Sequence, residues 1–260
     1  MALLEVENLS VSFDGIRALQ EVSLSVEPGQ LFALVGPNGA GKTTLFNCLS
    51  RICRQDSGRI SFRGQEISGL KPHQIPAIGL GRTFQNIELF AGLTTLENIL
   101  LGCHLQTPTG LLGSFFFTRS ARQAEIEARR AAEEVIDFLE LEAVRQEKAG
   151  SLSYGVRKRI ELGRALALKP ELLLLDEPAA GMNTEEKEEL AWWIGEIRGG
   201  LGITVLVVEH DMRLVMDLSD RVCVLDHGQV IATGRPEEVQ QHPNVIEAYL
   251  GRTAHALAGG

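Results

Sequence analysis

The chain has 260 residues, of which 34 are acidic and 25 basic, giving a net charge of −9, and 44% of it is hydrophobic. That length allows one large domain or two smaller ones with ample core, and the acidic balance speaks against nucleic acid as a partner, since a general nucleic-acid binder carries a basic excess. No stretch approaches the roughly 18 apolar residues that span a bilayer, and Met1-Ala-Leu-Leu-Glu5 does not read as a signal peptide.

In chain order, Leu4–Phe13 alternates between apolar and polar residues and predicts a strand, and Val22–Val26 does the same before the Pro28-Gly29 turn. The apolar run Leu31–Val35 leads into Gly36, Pro37, Asn38, Gly39, Ala40, Gly41, Lys42, Thr43 and Thr44. Residues 36 to 43 fit G-x-x-x-x-G-K-[ST], the phosphate-binding loop, here in its required strand–loop–helix context. The glycines let the backbone turn so that N–H groups converge at the positive end of a helix dipole. Lys42 would reach the β- and γ-phosphates and the Thr43 hydroxyl would ligate Mg²⁺. The motif predicts a nucleoside triphosphate and is silent on its use.

Arg59–Phe62 predicts another strand. From Leu96 to Leu168 the periodicity is mainly helical: Ala132, Val135, Ile136 and Leu139 fall at i, i+3, i+4 and i+7. Gly150-Ser151 breaks the pattern, and a second helix is expected from Ser153 to Leu168, before Lys169-Pro170. Ser153 and Gly155 stand where that helix begins, so N–H groups and a hydroxyl could meet an anion. Phe115-Phe-Phe117 reads as core packing, with a partner-docking patch as the alternative.

Strand signals return at Leu172–Leu175, Ile203–Val208 and Val222–Leu225, with Asp226-His-Gly-Gln229 as a hairpin connection. Continuous apolar strands alternating with helices imply an α/β fold with a parallel sheet covered on both faces. The strand Leu172–Leu175 ends in Asp176 and Glu177. At the carboxyl edge of a parallel sheet these acids face the ligand crevice. Asp176 would hold Mg²⁺ and Glu177 could polarise the water that attacks the γ-phosphate. The acidic run Glu185–Glu189 reads as a solvated helix N-terminus. Beyond Gly234 a short helical appendage and a frayed tail are expected. Cys48, Cys53, Cys103 and Cys223 lack metal-like or paired spacing and read as reduced thiols of a cytosolic protein.

Leu152-Ser-Tyr-Gly155 and the following Val-Arg-Lys-Arg-Ile-Glu-Leu-Gly-Arg-Ala-Leu166 resemble the signature motif of ABC-type ATPases. The order of phosphate loop, Gln85, signature, acidic strand end and His210 matches that family over roughly residues 3 to 251. The resemblance implies a P-loop NTPase (RecA-like) core with an N-terminal antiparallel β subdomain, in residues 1–86 and 166–234. It further implies an inserted helical signature subdomain in 87–165 and a C-terminal helical extension in 235–260. Phe13 matches the residue that stacks on adenine, and Gln85 the glutamine that touches Mg²⁺ and the attacking water. Ser153 and Gly155 match residues that bind the γ-phosphate of ATP held by the opposite subunit. His210 matches the histidine that contacts the γ-phosphate and positions Glu177. Val156 departs from the usual Gln or Glu of the signature, which implies altered trans contacts.

Gly81–Phe90, Leu96-Glu-Asn-Ile99, Glu177-Pro-Ala-Ala-Gly181, Glu209-His-Asp-Met212 and Val245–Gly251 are similar to the larger ATP-binding subunit of branched-chain amino acid importers, as is the insertion around 107–122. That resemblance implies ATP and Mg²⁺ as cofactors. The implied partners are a second ATPase subunit (heterodimer, with a homodimer as the alternative), two transmembrane permeases and, indirectly, a substrate-binding protein. The implied location is peripheral, on the cytoplasmic side of the inner membrane. Related systems for urea, amides, aromatic acids or lipid-like cargo have a similar build. A soluble ABC protein acting on nucleic acid fits the charge poorly, and a P-loop kinase leaves the Ser153 signature unexplained.

Overall fold

The computed structural model describes residues 1–83, 88–104 and 119–249. Gln85, the Phe115-Phe-Phe117 run, most of the insertion around 107–122 and residues from 250 onward lie outside the described residues.

Strands β1 (Leu4–Phe13) and β2 (Ile16–Val26) form a long antiparallel hairpin in which Leu4 faces Val26 and Phe13 faces Ile16. Asp14 and Gly15 make the turn with φ of 49° and 85°, the two positive values that suit the twist of a two-residue hairpin. β2 begins six residues before the alternation at Val22 becomes legible, because its first part is a half-exposed ribbon whose register shifts repeatedly. β4 (Ser57–Phe62) and β5 (Gln65–Glu66) complete a four-stranded antiparallel sheet in the order β2-β1-β4-β5.

The second sheet has six strands in the order β10-β9-β3-β8-β7-β6. These are β3 (Leu31–Val35), β6 (Leu80–Arg82), β7 (Leu172–Asp176), β8 (Thr204–Val208), β9 (Arg221–Asp226) and β10 (Gln229–Gly234). All neighbours are parallel except the edge pair β9–β10. The three-residue β6 was not foreshadowed; Gly81 and Arg82 give it no apolar pattern. The central strands are buried on both faces, and their side chains sort by period two. Leu31, Ala33, Val35, Leu173, Leu175, Val205, Val207, Val222 and Val224 join one core with the helices. Phe32, Leu34, Leu172, Leu174, Leu206, Val208, Cys223 and Leu225 join a second core with the antiparallel sheet. One face of the parallel sheet is therefore covered by helices and the other by the β1–β2–β4 sheet with α1 (Lys42–Leu49).

The helical middle holds α2 (Thr95–His104), α3 (Arg119–Phe138) and α4 (Tyr154–Leu166), with 3₁₀ turns at Glu142–Val144 and Ala149–Ser151. α4 ends two residues before the predicted Leu168; Lys169, at φ 47°, and Pro170 stop it. α5 (Thr184–Gly199) lays Leu190, Trp193, Ile194 and Ile197 on the core, each burial contributing about 1.5–3 kcal/mol. Trp193 meets Phe138 of α3 edge-on at 5.6 Å. The chain continues through α6 (Met212–Leu218) and α7 (Pro236–Gln240) to a helical stretch at 243–249.

Candidate functional site

Sheet order decides what meets at the carboxyl edge. β3, β8 and β7 are adjacent, so the segments that follow them emerge side by side, the place where open α/β sheets bind ligands. After β3 the chain enters the predicted phosphate loop. A Cβ on Gly36, whose φ is 149°, would lie 2.1 Å from the Leu225 carbonyl oxygen, and one on Gly41, at φ 105°, 2.6 Å from that of Ala18. Only glycine allows β9 and β2 to approach the loop so closely. Burial raises the pKa of the Tyr249 hydroxyl, from the 243–249 helix, and the nearby Gly36 backbone opposes that rise. Gly41 is the N-cap of α1, and no side chain caps that helix. Lys42 is buried, and its Nζ donates to the carbonyls of Gly36 at 2.7 Å and Pro37 at 3.0 Å, curling the loop around its own cation.

The loop opens on a cleft of about 670 Å³ lined by Ala18, residues 38–44, Glu177 and His210. Glu177 sits just past β7 with φ 48°, a strained value for a non-glycine residue, and donates its N–H to Val208 at 2.9 Å. His210 follows β8, and its Nε2 lies 2.7 Å from Oε1 of Glu177. With Glu177 ionised, the Nε2–H tautomer is the one that donates. Two predicted catalytic residues 33 positions apart thus meet at the mouth of the phosphate loop.

Asp176 ends β7 and is buried. Its Oδ2 accepts from Arg82 Nη2 at 2.8 Å. Among the described residues no group of three or more His, Cys, Asp or Glu could hold a metal ion. Thr43 lines the cleft, whereas Asp176, at the end of β7, is not among the cleft-lining residues; a hydroxyl and a carboxylate are the hard oxygen donors that Mg²⁺ takes.

Glu209 gains a role only in three dimensions. It is buried, and its carboxylate accepts from the N–H of Ala179 at 2.8 Å and of His210 at 3.1 Å. Burial raises its pKa against those hydrogen bonds, and the charge of Glu177 adds to the rise. The side chain ties the loop after β7 to the loop after β8. Lys187 of α5 pairs with Asp211 at 2.8 Å and holds that carboxyl below its ordinary range.

Ser153 and Gly155 do not line the cleft. Ser153 is exposed as the N-cap of α4, with no side-chain cap. Tyr154 donates its hydroxyl to the Ala180 carbonyl at 2.9 Å. A Cβ on Gly155 would lie 3.0 Å from Glu186, which also closes a capping box with Asn183 at the start of α5, so the acidic run is a helix N-terminus as expected. Phe13, half exposed at the tip of the β1–β2 hairpin, is not among the cleft-lining residues either. Burial pushes the Cys48 thiol up to about 12 and that of Cys223 to about 11, so neither offers a thiolate at neutral pH.

A second cleft, of about 610 Å³, lies between the segment 72–80 and the helices α2 and α4; Ser50, Ile75, Arg82, Phe90, Leu101 and Ala165 are among its walls.

A model of the ABC transporter family matches residues 19–180. The chain belongs to the ABC transporter ATPase family. Within it, a model of the branched-chain amino acid ATP-binding cassette transporter matches residues 229–255. The chain is 42% identical over 249 residues to the high-affinity branched-chain amino acid transport ATP-binding protein BraF of Pseudomonas aeruginosa, covering 96% of this chain and 98% of that one. It is equally similar to LivG of Escherichia coli, at 42% identity and the same coverage. A crystal structure of a nucleotide-free ATP-binding cassette from an ABC transporter superposes with a TM-score of 0.83 at 34% identity, covering 96% and 99% of the two chains. A dimeric cassette in a post-hydrolysis state, bound to ADP and phosphate, superposes at 0.74 with 25% identity, over 90% and 98%. This ABC ATPase binds and hydrolyses ATP with Mg²⁺, and that hydrolysis is coupled to transport. Among the described residues no helix is long and apolar enough to cross a membrane.

Proposed function

We propose that this ABC ATPase powers the import of branched-chain, hydrophobic amino acids. Its similarity to branched-chain amino acid transport ATP-binding proteins over 96% of the chain carries that reading. The match at 229–255 to the branched-chain type supports it. Residues 1–86 and 166–234 act as the ATP-binding core, 87–165 as the helical signature subdomain and 235–260 as the C-terminal extension. The chain works at the cytoplasmic side of the inner membrane with a second, similar ATPase, two permeases and a binding protein. The 610 Å³ cleft, walled by both the core and the helical subdomain, is suited to a permease segment.

Within the site, residues 36–44 hold the triphosphate and Lys42 leaves its loop carbonyls for the β- and γ-phosphates. Thr43 and Asp176 would hold Mg²⁺, which would supply positive charge to offset that of the triphosphate. Glu177 takes a proton from the attacking water as oxygen bonds to the γ-phosphorus and ADP departs. The contact with His210 aims that carboxylate and places an imidazole beside the γ-phosphate. Gln85 orients the water and reports to the permease, and Phe13 stacks on adenine. Ser153 and Gly155, which do not line their own cleft, seal the γ-phosphate of the partner ATPase.

The test is reconstitution with the permeases, the second ATPase and the binding protein in liposomes. ATP-dependent uptake of labelled leucine is expected, and Glu177→Gln in this chain should abolish it. Uptake of urea, an amide or an aromatic acid in place of leucine would replace the solute. Vigorous ATP hydrolysis with no uptake of any of these would overturn the importer assignment.

A further inference from the structure

Arg82 is a buried-side-chain cation that the assigned ATP site does not use, and it is built in from several sides. Its side chain is 8% exposed and that of Asp176 is 5% exposed. Nη2 donates to Asp176 Oδ2 at 2.8 Å. Nη1 donates to Asn47 Oδ1 at 2.9 Å and to Ser50 Oγ at 3.0 Å. The guanidinium carbon stands 5.7 Å from the centre of the Phe46 ring. Phe46 and Asn47 belong to α1, the helix that starts at the phosphate loop, and Ser50 is its C-cap. One side chain on the edge strand β6 therefore grips both the helix that follows the phosphate loop and the carboxylate that ends β7.

A buried guanidinium is kept only where its partners fix it, since removing one partner of a buried ion pair is strongly unfavourable. Its planar fork also sets direction, which a flexible ammonium does not. The bond to Oδ2 takes up one oxygen of Asp176 and restrains how the carboxylate turns. Carboxylates that ligate metals are commonly held by such an outer partner.

We propose that Arg82 is a positioning residue that orients Asp176 toward the magnesium of bound MgATP and keeps that carboxylate in register with the phosphate-loop helix. This rests on the reading of Asp176 as the carboxylate on the metal side.

The experiment is a calorimetric titration of the full chain with the non-hydrolysable analogue AMPPNP, without metal and at stepped Mg²⁺, for Arg82→Gln, Arg82→Lys and Asp176→Asn. Arg82→Gln should raise the half-saturating Mg²⁺ about 10- to 100-fold, the scale for losing an outer partner of a metal ligand. Metal-free affinity should stay within about twofold of the parent, and Arg82→Lys should fall between the two. A folded Arg82→Gln chain with unchanged Mg²⁺ dependence would overturn the proposal. So would an equal loss of metal-free affinity, which would make Arg82 a general scaffold for the loop. If Arg82→Gln does not fold by circular dichroism, Asn47→Ala with Ser50→Ala loosens the guanidinium without removing it. That pair must then shift the Mg²⁺ dependence in the same direction, or the proposal fails. An Asp176→Asn chain with normal Mg²⁺ dependence would instead remove the metal reading on which the proposal stands.

Discussion

The helix starts of α1 and α4 differ from those of α5 and α6. At α5 the side chain of Asn183 accepts from the Glu186 N–H, and at α6 Asp211 accepts from Arg213 and Leu214. At α1 and α4 the N-caps are Gly41 and Ser153, and neither makes a side-chain cap. Every helix begins with N–H groups that have no partner inside it. Asn and Asp satisfy them from within the chain, whereas a start that must receive an anion is served by leaving them available. The starts of α1 and α4 also face differently. α1 opens on the cleft that holds Glu177 and His210, and α4 opens outward, with Ser153 exposed beside the loop that Tyr154 touches. On the proposed reading, one start receives the nucleotide bound by its own chain and the other the nucleotide of a second molecule.

The sharpest way to break this contrast is to disable chemistry at the first start and association at the second. Glu177→Gln keeps the shape of the side chain and removes the base. Hydrolysis by the assembled ATPase should fall about 10²- to 10⁴-fold while ATP binding persists; a steady-state phosphate-release assay reads both the loss and any survival. Ser153→Arg should leave ATP binding by its own cleft intact and abolish ATP-dependent pairing, followed by light scattering. A mutant that pairs normally would show that α4 does not complete a neighbour's site.

Glu209 gives a smaller and pH-dependent effect. Its folded-state pKa is raised chiefly by burial, so the native state holds its proton more tightly than the unfolded chain does. Its contribution to stability is therefore full below its unfolded pKa and is lost as pH rises through the raised value. Glu209→Gln should thus cost more stability in acid than at neutral pH, measured by urea melts across the carboxylate range. Glu209→Ala should cost more than Gln at neutral pH, by about 1–3 kcal/mol, because the Ala179 and His210 N–H groups lose their acceptor. A Gln variant whose cost is flat with pH would remove the buried-carboxylate account.

The smallest effect separates the two kinds of helix start directly. Asn183→Ala should destabilise the fold by about 1 kcal/mol, the usual worth of a side-chain cap. Ser153→Ala should stay within about 0.5 kcal/mol of the parent, as a surface change does. Equal costs at both positions would erase the distinction.

Much of the nucleotide half was legible in the amino-acid order because its parts are local. Gly36 to Thr44 is one uninterrupted motif, and Asp176 and Glu177 announce themselves at the end of an all-apolar run. The same holds for β3, β7 and β8, whose two buried faces leave no polar interruption. The early part of β2 and the whole of β6 were hidden because neither carries an apolar rhythm. The contacts that hold the site were hidden for a different reason. Arg82 and Asp176 are 94 positions apart, and Glu209 and Ala179 are 30. Nothing in the types of these residues specifies the pairing until the strand order is known. The meeting of His210 and Glu177 was anticipated only through family resemblance; their geometry depends on β7 and β8 being neighbours.

The strand order carries a cost in time. β3 pairs with β8 on one side and β9 on the other, Leu31 against Val205 and Phe32 against Arg221. During synthesis, which proceeds from the amino end, the most apolar strand of the early chain must therefore wait, edges bare, until most of the later residues have left the ribosome. A strand in that state is a template for the wrong neighbour. The four strands of the antiparallel sheet all precede residue 67 and share a core with Phe32 and Leu34, so that sheet is available early to cover one face of the strand.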